Sequence, residues 1–277
     1  MNTTFLAKKA SPLRSTPAGG PGPLLSVLSL AIAFMMVGCD SADGSTCTES
    51  VATTARAIRL GDAGVTPADE VWRGFPLRLA IEGTVAGERS VRGCTAVRVS
   101  NTGILTAAHC FSHLDAGAGH VELSADGGPS PSSACASGGH FSLRDVSVHP
   151  VADAAFVRVA DLSIGETATL LSFLPEPQAA VVLAGYGLTE SGTTGALRAI
   201  AARVISAGAD QIVVQGDGGG ACVGDSGGPL LLPGQGRSAG VLSGGSASCE
   251  GKDEYVPTAS LAAWLQTVEP SVGWNPS

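Results

Sequence analysis

Beyond about residue 70, the apolar residues of this chain fall into short runs separated by glycine, proline, serine and aspartate. The runs are "PLRLAI" (76–81), "TAVRVS" (95–100), "GILTAA" (103–108), "AAFVRV" (154–159), "AAVVLAG" (179–185), "QIVVQG" (211–216), "PLLLPG" (229–234) and "SAGVLSGG" (238–245). Their length and their turn-forming flanks predict β-strands. The rhythm changes once, near the C-terminus, where Leu261, Trp264, Leu265 and Val268 recur at i, i+3, i+4 and i+7. That spacing predicts one amphipathic helix, with Ser260 placed to cap it. The segment from Gly117 to Gly139 is rich in Gly, Ser and Pro and reads as a surface insertion. No repeat of fixed period is evident. Many short strands closed by a terminal helix make an all-β chain, a barrel or sandwich architecture.

The N-terminal stretch follows another pattern. Lys8, Lys9 and Arg14 precede "LLSVLSLAIAFMMV" (24–37), an apolar run too short for a membrane span and suited to a secretory signal, so residues 1–38 read as a signal peptide. "MVGCD" (36–40) resembles a bacterial lipoprotein processing box, which makes Cys39 the candidate for lipidation and residues 39–56 a tether or propeptide. The alternative is ordinary cleavage near Gly38 or Ser41, leaving Cys39 as a thiol.

Composition narrows the classes further. With 277 residues, 44% hydrophobic and 14% charged, the chain can bury a substantial core. Its 38 glycines lack a Gly-X-Y period and suit turns between strands. The first 38 residues hold three basic and no acidic residues, so the remainder carries 13 Lys and Arg against 24 Asp and Glu, a formal charge of −11. Such a surface repels nucleic acid and anionic lipid, and membrane attachment would come only through the lipid on Cys39. Seven cysteines in an exported chain leave an even six once Cys39 is set aside. There is no C-x-x-C and no histidine beside the cysteines in a zinc pattern, so neither a metal nor a cofactor is expected.

"GDSGGPL" (224–230) holds Ser226 between an acid and two glycines. A turn is the plain reading. A nucleophile on a tight backbone loop is the other, and it requires a base and an orienting acid upstream, because a hydroxyl at neutral pH is a weak nucleophile. Of five histidines, His109 in "GILTAAHC" ends a strand and abuts a cysteine, whereas His113, His120, His140 and His149 stand in polar or turn-like surroundings. His109 is the candidate base.

"LTAAHC" and "GDSGGP", in that order, resemble the strings around the catalytic histidine and serine of the chymotrypsin-like (trypsin-fold) serine proteases. The resemblance runs over residues 57–268 and implies two six-stranded antiparallel barrels with a C-terminal helix, followed by a tail at 269–277. It implies that Ser226 is the nucleophile, His109 the general base and Asp153, in "VHPVADAAFVRV" (148–159), the orienting acid. Asp145 and Asp161 are rivals by composition. The backbone N–H groups of Gly224 and Ser226 would form the oxyanion hole. Asp225 would pair with an α-ammonium released by cleavage after Arg56 or Arg59, giving a zymogen whose new N-terminus is Ala57, Ile58 or Leu60.

By the same resemblance Cys94 pairs with Cys110 and Cys222 with Cys249, which leaves Cys47 and Cys135 either as a third pair or with Cys47 free on the tether. The substrate pocket would have Gly220 at its floor and Ser243 and Gly245 in its walls, with Asp253 or Glu254 at its back. A carboxylate there would accept Lys or Arg, while a solvated "EGKDE" would leave a pocket for small or medium apolar side chains. The expectation is therefore an exported, monomeric serine endopeptidase acting on protein or peptide. A catalytically silent, protease-like binding module on the cell envelope is the alternative.

Overall fold

The computed structural model describes residues 71–123, 136–189, 192, 194 and 197–275. The signal segment, Cys39, Cys47, Cys135 and the cleavage candidates from Arg56 to Leu60 lie outside the described residues.

The first seven strands are β1 (Pro76–Val85), β2 (Glu88–Arg98), β3 (Gly103–Thr106), β4 (Ala116–Leu123), β5 (Ala136–Ser142), β6 (Val146–Val148) and β7 (Ala155–Arg158). They form one sheet in the order β5-β4-β1-β2-β3-β7-β6, antiparallel throughout. The sheet curls into a nearly closed barrel, and a bridge between His140 and Ala160 brings its ends together. Period-2 alternation explains which face is inside: Leu77, Leu79 and Ile81 of β1 are fully buried, whereas Arg78 and Ala80 are partly exposed. They pack with Ile104, Val121 and Val157 in one apolar cluster.

The second half contributes β8 (Thr169–Leu171), β9 (Ala180–Gly185), β10 (Arg198–Ala207), β11 (Ile212–Gly216), β12 (Pro229–Leu232), β13 (Arg237–Gly244), β14 (Lys252–Pro257) and β15 (Trp274–Asn275). The order β12-β9-β10-β11-β14-β13 is closed by the pairing of β12 with β13, so six strands make a complete barrel. The short β8 and β15 add to it through parallel pairings. Closure leaves no free strand edge around this barrel, and its interior holds Leu183, Ile200, Ile212, Val214, Leu230 and Tyr255.

A third cluster joins the barrels. Val97, Leu105 and Phe156 of the first meet Val182, Tyr186 and Val241 of the second, and helix α1 (Thr258–Val268) packs Leu261 and Leu265 against them. Both leucines are completely buried. The helix starts earlier than its apolar period indicates, at Thr258, and Pro257 rather than Ser260 occupies the N-cap position. Ser260 lies inside the helix and its hydroxyl donates to the carbonyl of Ala209.

All eight apolar runs fall on or overlap strands. The segment read as a surface insertion is corrected at both ends, since β4 and β5 occupy 116–123 and 136–142. Its glycines hide these strands from a periodicity reading. Gly117 and Gly119 sit where a Cβ would come within 2.6 Å and 2.3 Å of neighbouring atoms, so close strand packing, not flexibility, accounts for them.

Candidate active site

Buried threonine links the barrels where the candidate residues gather. Thr95 of β2, fully buried, donates through its hydroxyl to the carbonyl of Gly224 (2.9 Å) and accepts from the N–H of Tyr186 (3.0 Å). Its own N–H donates to the carbonyl of Ser226 (2.9 Å), and its carbonyl accepts from the Thr106 hydroxyl (2.7 Å). All four polar functions of one residue are thus used, and three of them tie the serine loop to the strand preceding His109. Its place in an apolar-polar run gave no hint of this; a threonine at a position where period 2 calls for a core residue is the only signal.

The disulfide between Cys94 and Cys110 fastens β2 to the 3-10 turn Ala108–Phe111 that carries His109. Asp153 lies on the turn leading into β7 and is partly exposed. Its Oδ1 accepts from the backbone N–H of His109 (2.8 Å), and its Oδ2 lies 2.7 Å from His109 Nδ1 and accepts from the Ser243 hydroxyl at 2.7 Å. Burial alone would raise the Asp153 pKa, but the bonds from His109 and Ser243 outweigh it and hold the carboxyl below its ordinary value. Asp153 therefore stays ionised and keeps the proton of His109 on Nδ1. The rival acids have other roles. Asp145 closes a capping box with Ser142, and Asp161 sits in a turn at φ 56°.

Ser226 is partly exposed on the loop after Gly224, and the N–H groups of Asp225, Gly227 and Gly228 bond to Cys222, Leu242 and Asp225 carbonyls respectively. Among the described residues, the N–H groups of Gly224 and Ser226 donate no hydrogen bond. Gly224 has a φ of 97°, in the region glycine tolerates.

A cavity of about 200 Å³ opens beside Ser226, lined by Ala221, Cys222, Val223, Leu242, Gly245 and Cys249 among others. The Cys222–Cys249 disulfide joins its two sides. Of the residues expected in the pocket, Gly245 lines this cavity, whereas Gly220 and Asp253 lie behind it and Ser243 turns toward Asp153. Asp253 is 1% exposed; its carboxylate accepts from the N–H of Ala221 (3.0 Å) and stands 2.5 Å from where a Cβ on Gly245 would be. Burial pushes it up to about 6, against the opposing Ala221 bond.

Asp225 is 2% exposed and accepts from the N–H groups of Gly187 (2.8 Å) and Cys222 (2.9 Å). No described cation pairs with it. Burial is the main cause that lifts it to about 7; the two N–H bonds pull downward and the nearby Asp253 adds to the rise. The folded chain therefore keeps protons on Asp225 and Asp253 that the unfolded chain loses above its ordinary carboxyl value of 3.8. Stability from these groups is full below that value and falls as pH rises through about 6 to about 7. Urea unfolding of the disulfide-intact protein should show this fall between about pH 4 and about pH 7, and Asp225→Asn should reduce it. A parent protein equally stable at both values would contradict the account.

The trypsin family model matches residues 78–265, and the chain belongs to the trypsin family. Among solved structures it is similar to HL collagenase, with 19% identity over 74% of this chain and 96% of that one and a TM-score of 0.54. The active form of the Rv3671c protease from M. tuberculosis matches with the same identity and TM-score, over 83% of this chain and 96% of that one. No curated protein sequence matches the chain. The fold is thus that of a trypsin-like protease, and the two disulfides among the described residues suit the oxidising environment of an exported protein. Among the described residues no helix is long and apolar enough to cross a membrane.

Proposed function

We propose that the chain is a serine endopeptidase in which Ser226 attacks the scissile carbonyl, His109 takes the serine proton and returns it to the leaving amine, and Asp153 orients the imidazole. The developing oxyanion would be held by the N–H groups of Gly224 and Ser226, and water would then release the acyl group from Ser226. The observation that carries this reading is the double grip of Asp153 on the N–H and Nδ1 of His109, with Ser243 as third donor. The cavity beside Ser226 has mostly apolar or side-chain-free walls, which supports entry of a small or medium apolar side chain, with Asp253 behind. The same proposal has the chain exported, anchored by a lipid on Cys39, and activated when a new N-terminal ammonium reaches Asp225, which would end the pH-dependent cost of its burial.

A fluorophosphonate probe tests the reading directly. Wild-type protein, before or after limited proteolysis near Arg56 and Arg59, is expected to gain one phosphonyl group, read by intact mass, and Ser226→Ala and His109→Ala are expected to gain none. The same mass shows where the reactive chain begins and whether Cys39 is lipidated. Wild-type protein that stays unlabelled in both forms would overturn the catalytic reading in favour of a binding module.

A further inference from the structure

The turn that presents Asp153 is held by a side chain the reaction itself does not require. His149 Nδ1 accepts from the N–H groups of Val151 (3.2 Å) and Ala152 (2.8 Å). The backbone N–H of His149 donates to the carbonyl of Ala154 (2.9 Å), and the Ala154 N–H donates to the carbonyl of Ala152 (2.8 Å). Asp153 lies inside this ring of bonds. Because backbone N–H groups only donate, Nδ1 must carry its lone pair and the imidazole its proton on Nε2. Trp264 of α1 packs edge-on against the ring, with centroids 5.2 Å apart, and fixes its plane. The arrangement imitates an Asx-turn, in which a side-chain oxygen accepts from the N–H two residues on.

We propose that His149 is a positioning residue, whose unprotonated Nδ1 fixes the turn that aims Asp153 at His109, so that protonation of His149 loosens the pair. The proposal rests on the endopeptidase reading for its kinetic consequence, but the geometry it concerns does not depend on turnover. Protonation would turn an N–H against two N–H donors.

The surroundings act in both directions. Asp153 from the same turn, Asp210 from the β10–β11 connection and Glu254 from β14 line one cavity of about 350 Å³ with His149 and Tyr255, and negative charge close to the ring would favour the imidazolium. Desolvation nevertheless holds His149 below the ordinary value of 6.5. Neutral His149 is thus the resident form above that value, and the turn weakens as pH falls below it.

Two variants separate positioning from mere packing. His149→Phe keeps a ring against Trp264 and removes the acceptor; His149→Asn keeps an acceptor on Cγ and cannot be protonated. Expected for Phe is a kcat about tenfold lower with KM within about twofold, because a small misplacement of a catalytic group is costly in rate. Asn should return kcat to within about threefold of wild type. Wild type should show an acid limb of log kcat/KM that is locally steeper than the slope of about 1 expected for Asn.

The deshielded proton NMR signal of the His109–Asp153 bond should persist in Asn, weaken in Phe, and fade in wild type at a higher pH than in Asn. Equal kcat, equal limbs and an unchanged signal in all three proteins would overturn the proposal, as would an Asn variant no better than Phe. If Phe does not fold, the comparison of Asn with wild type decides. A wild type without turnover would overturn the endopeptidase reading alone, and the proton signal would still judge the positioning of Asp153.

Discussion

Asp153→Asn is expected to lower kcat about 10⁴-fold while the protein stays folded. The substitution conserves volume, so the turn between His149 and Ala154 need not move. What changes is hydrogen-bond polarity: the carboxylate accepts from His109 N–H, His109 Nδ1 and the Ser243 hydroxyl, and an amide replaces one of the two accepting oxygens with a donor. If the amide nitrogen faces Nδ1, the imidazole keeps its proton on Nε2 and cannot accept one from Ser226. If the amide oxygen faces Nδ1, the amide nitrogen is set against the backbone N–H of His109. Steady-state kinetics on a peptide substrate, with urea unfolding as a control for folding, check this. A loss below about tenfold in a stable variant would remove Asp153 from the role proposed for it.

Gly227→Ala is expected to cost about 4 kcal/mol or more of stability, at the limit of what single substitutions do. Two independent effects add. Gly227 has a φ of 83°, a backbone conformation costly to side-chain-bearing residues. A Cβ there would also stand 2.0 Å from the Thr106 hydroxyl, 2.4 Å from the Thr95 carbonyl and 2.7 Å from the Ala107 N–H. Two of these atoms are backbone, and the Thr106 hydroxyl is fully buried and bonded to Thr95, so no flexible side chain can yield. The clash falls on the bonds by which Thr95 joins the barrels, and the cost should appear in global unfolding as a lowered denaturant midpoint. A change under about 1 kcal/mol would mean that the loop relaxes freely, contrary to the packing described.

Local chemistry determined much of this molecule. Alternating apolar runs such as "PLRLAI" must bury Leu77, Leu79 and Ile81 on one face, so their strands were legible without any partner. The i, i+3, i+4, i+7 apolar set marked the helix for the same reason, while its start was misread because Thr258 and Pro257 act through the sheet and not through a serine cap. "LTAAHC" and "GDSGGP", in that order, were legible as candidate chemistry through their resemblance to the strings of the trypsin-fold serine proteases.

Pairing across distance was not legible. Strands β4, β5 and β10 lack a clear apolar alternation, and their existence depends on neighbours that supply hydrogen bonds and a surface. Thr95 reads as an ordinary strand residue and Ser243 as a pocket wall, yet one joins Gly224, Ser226, Tyr186 and Thr106, and the other bonds to Asp153 ninety positions away. Sequence pattern by itself determined which segments are strand or helix and which residue types carry the candidate chemistry, because those follow from side-chain period and reactivity over a few residues. Only the tertiary structure decided which carboxylate meets His109, which acids are buried beneath the pocket and which side chain holds the turn of Asp153, because hydrogen-bond geometry and desolvation depend on atoms far apart in the chain.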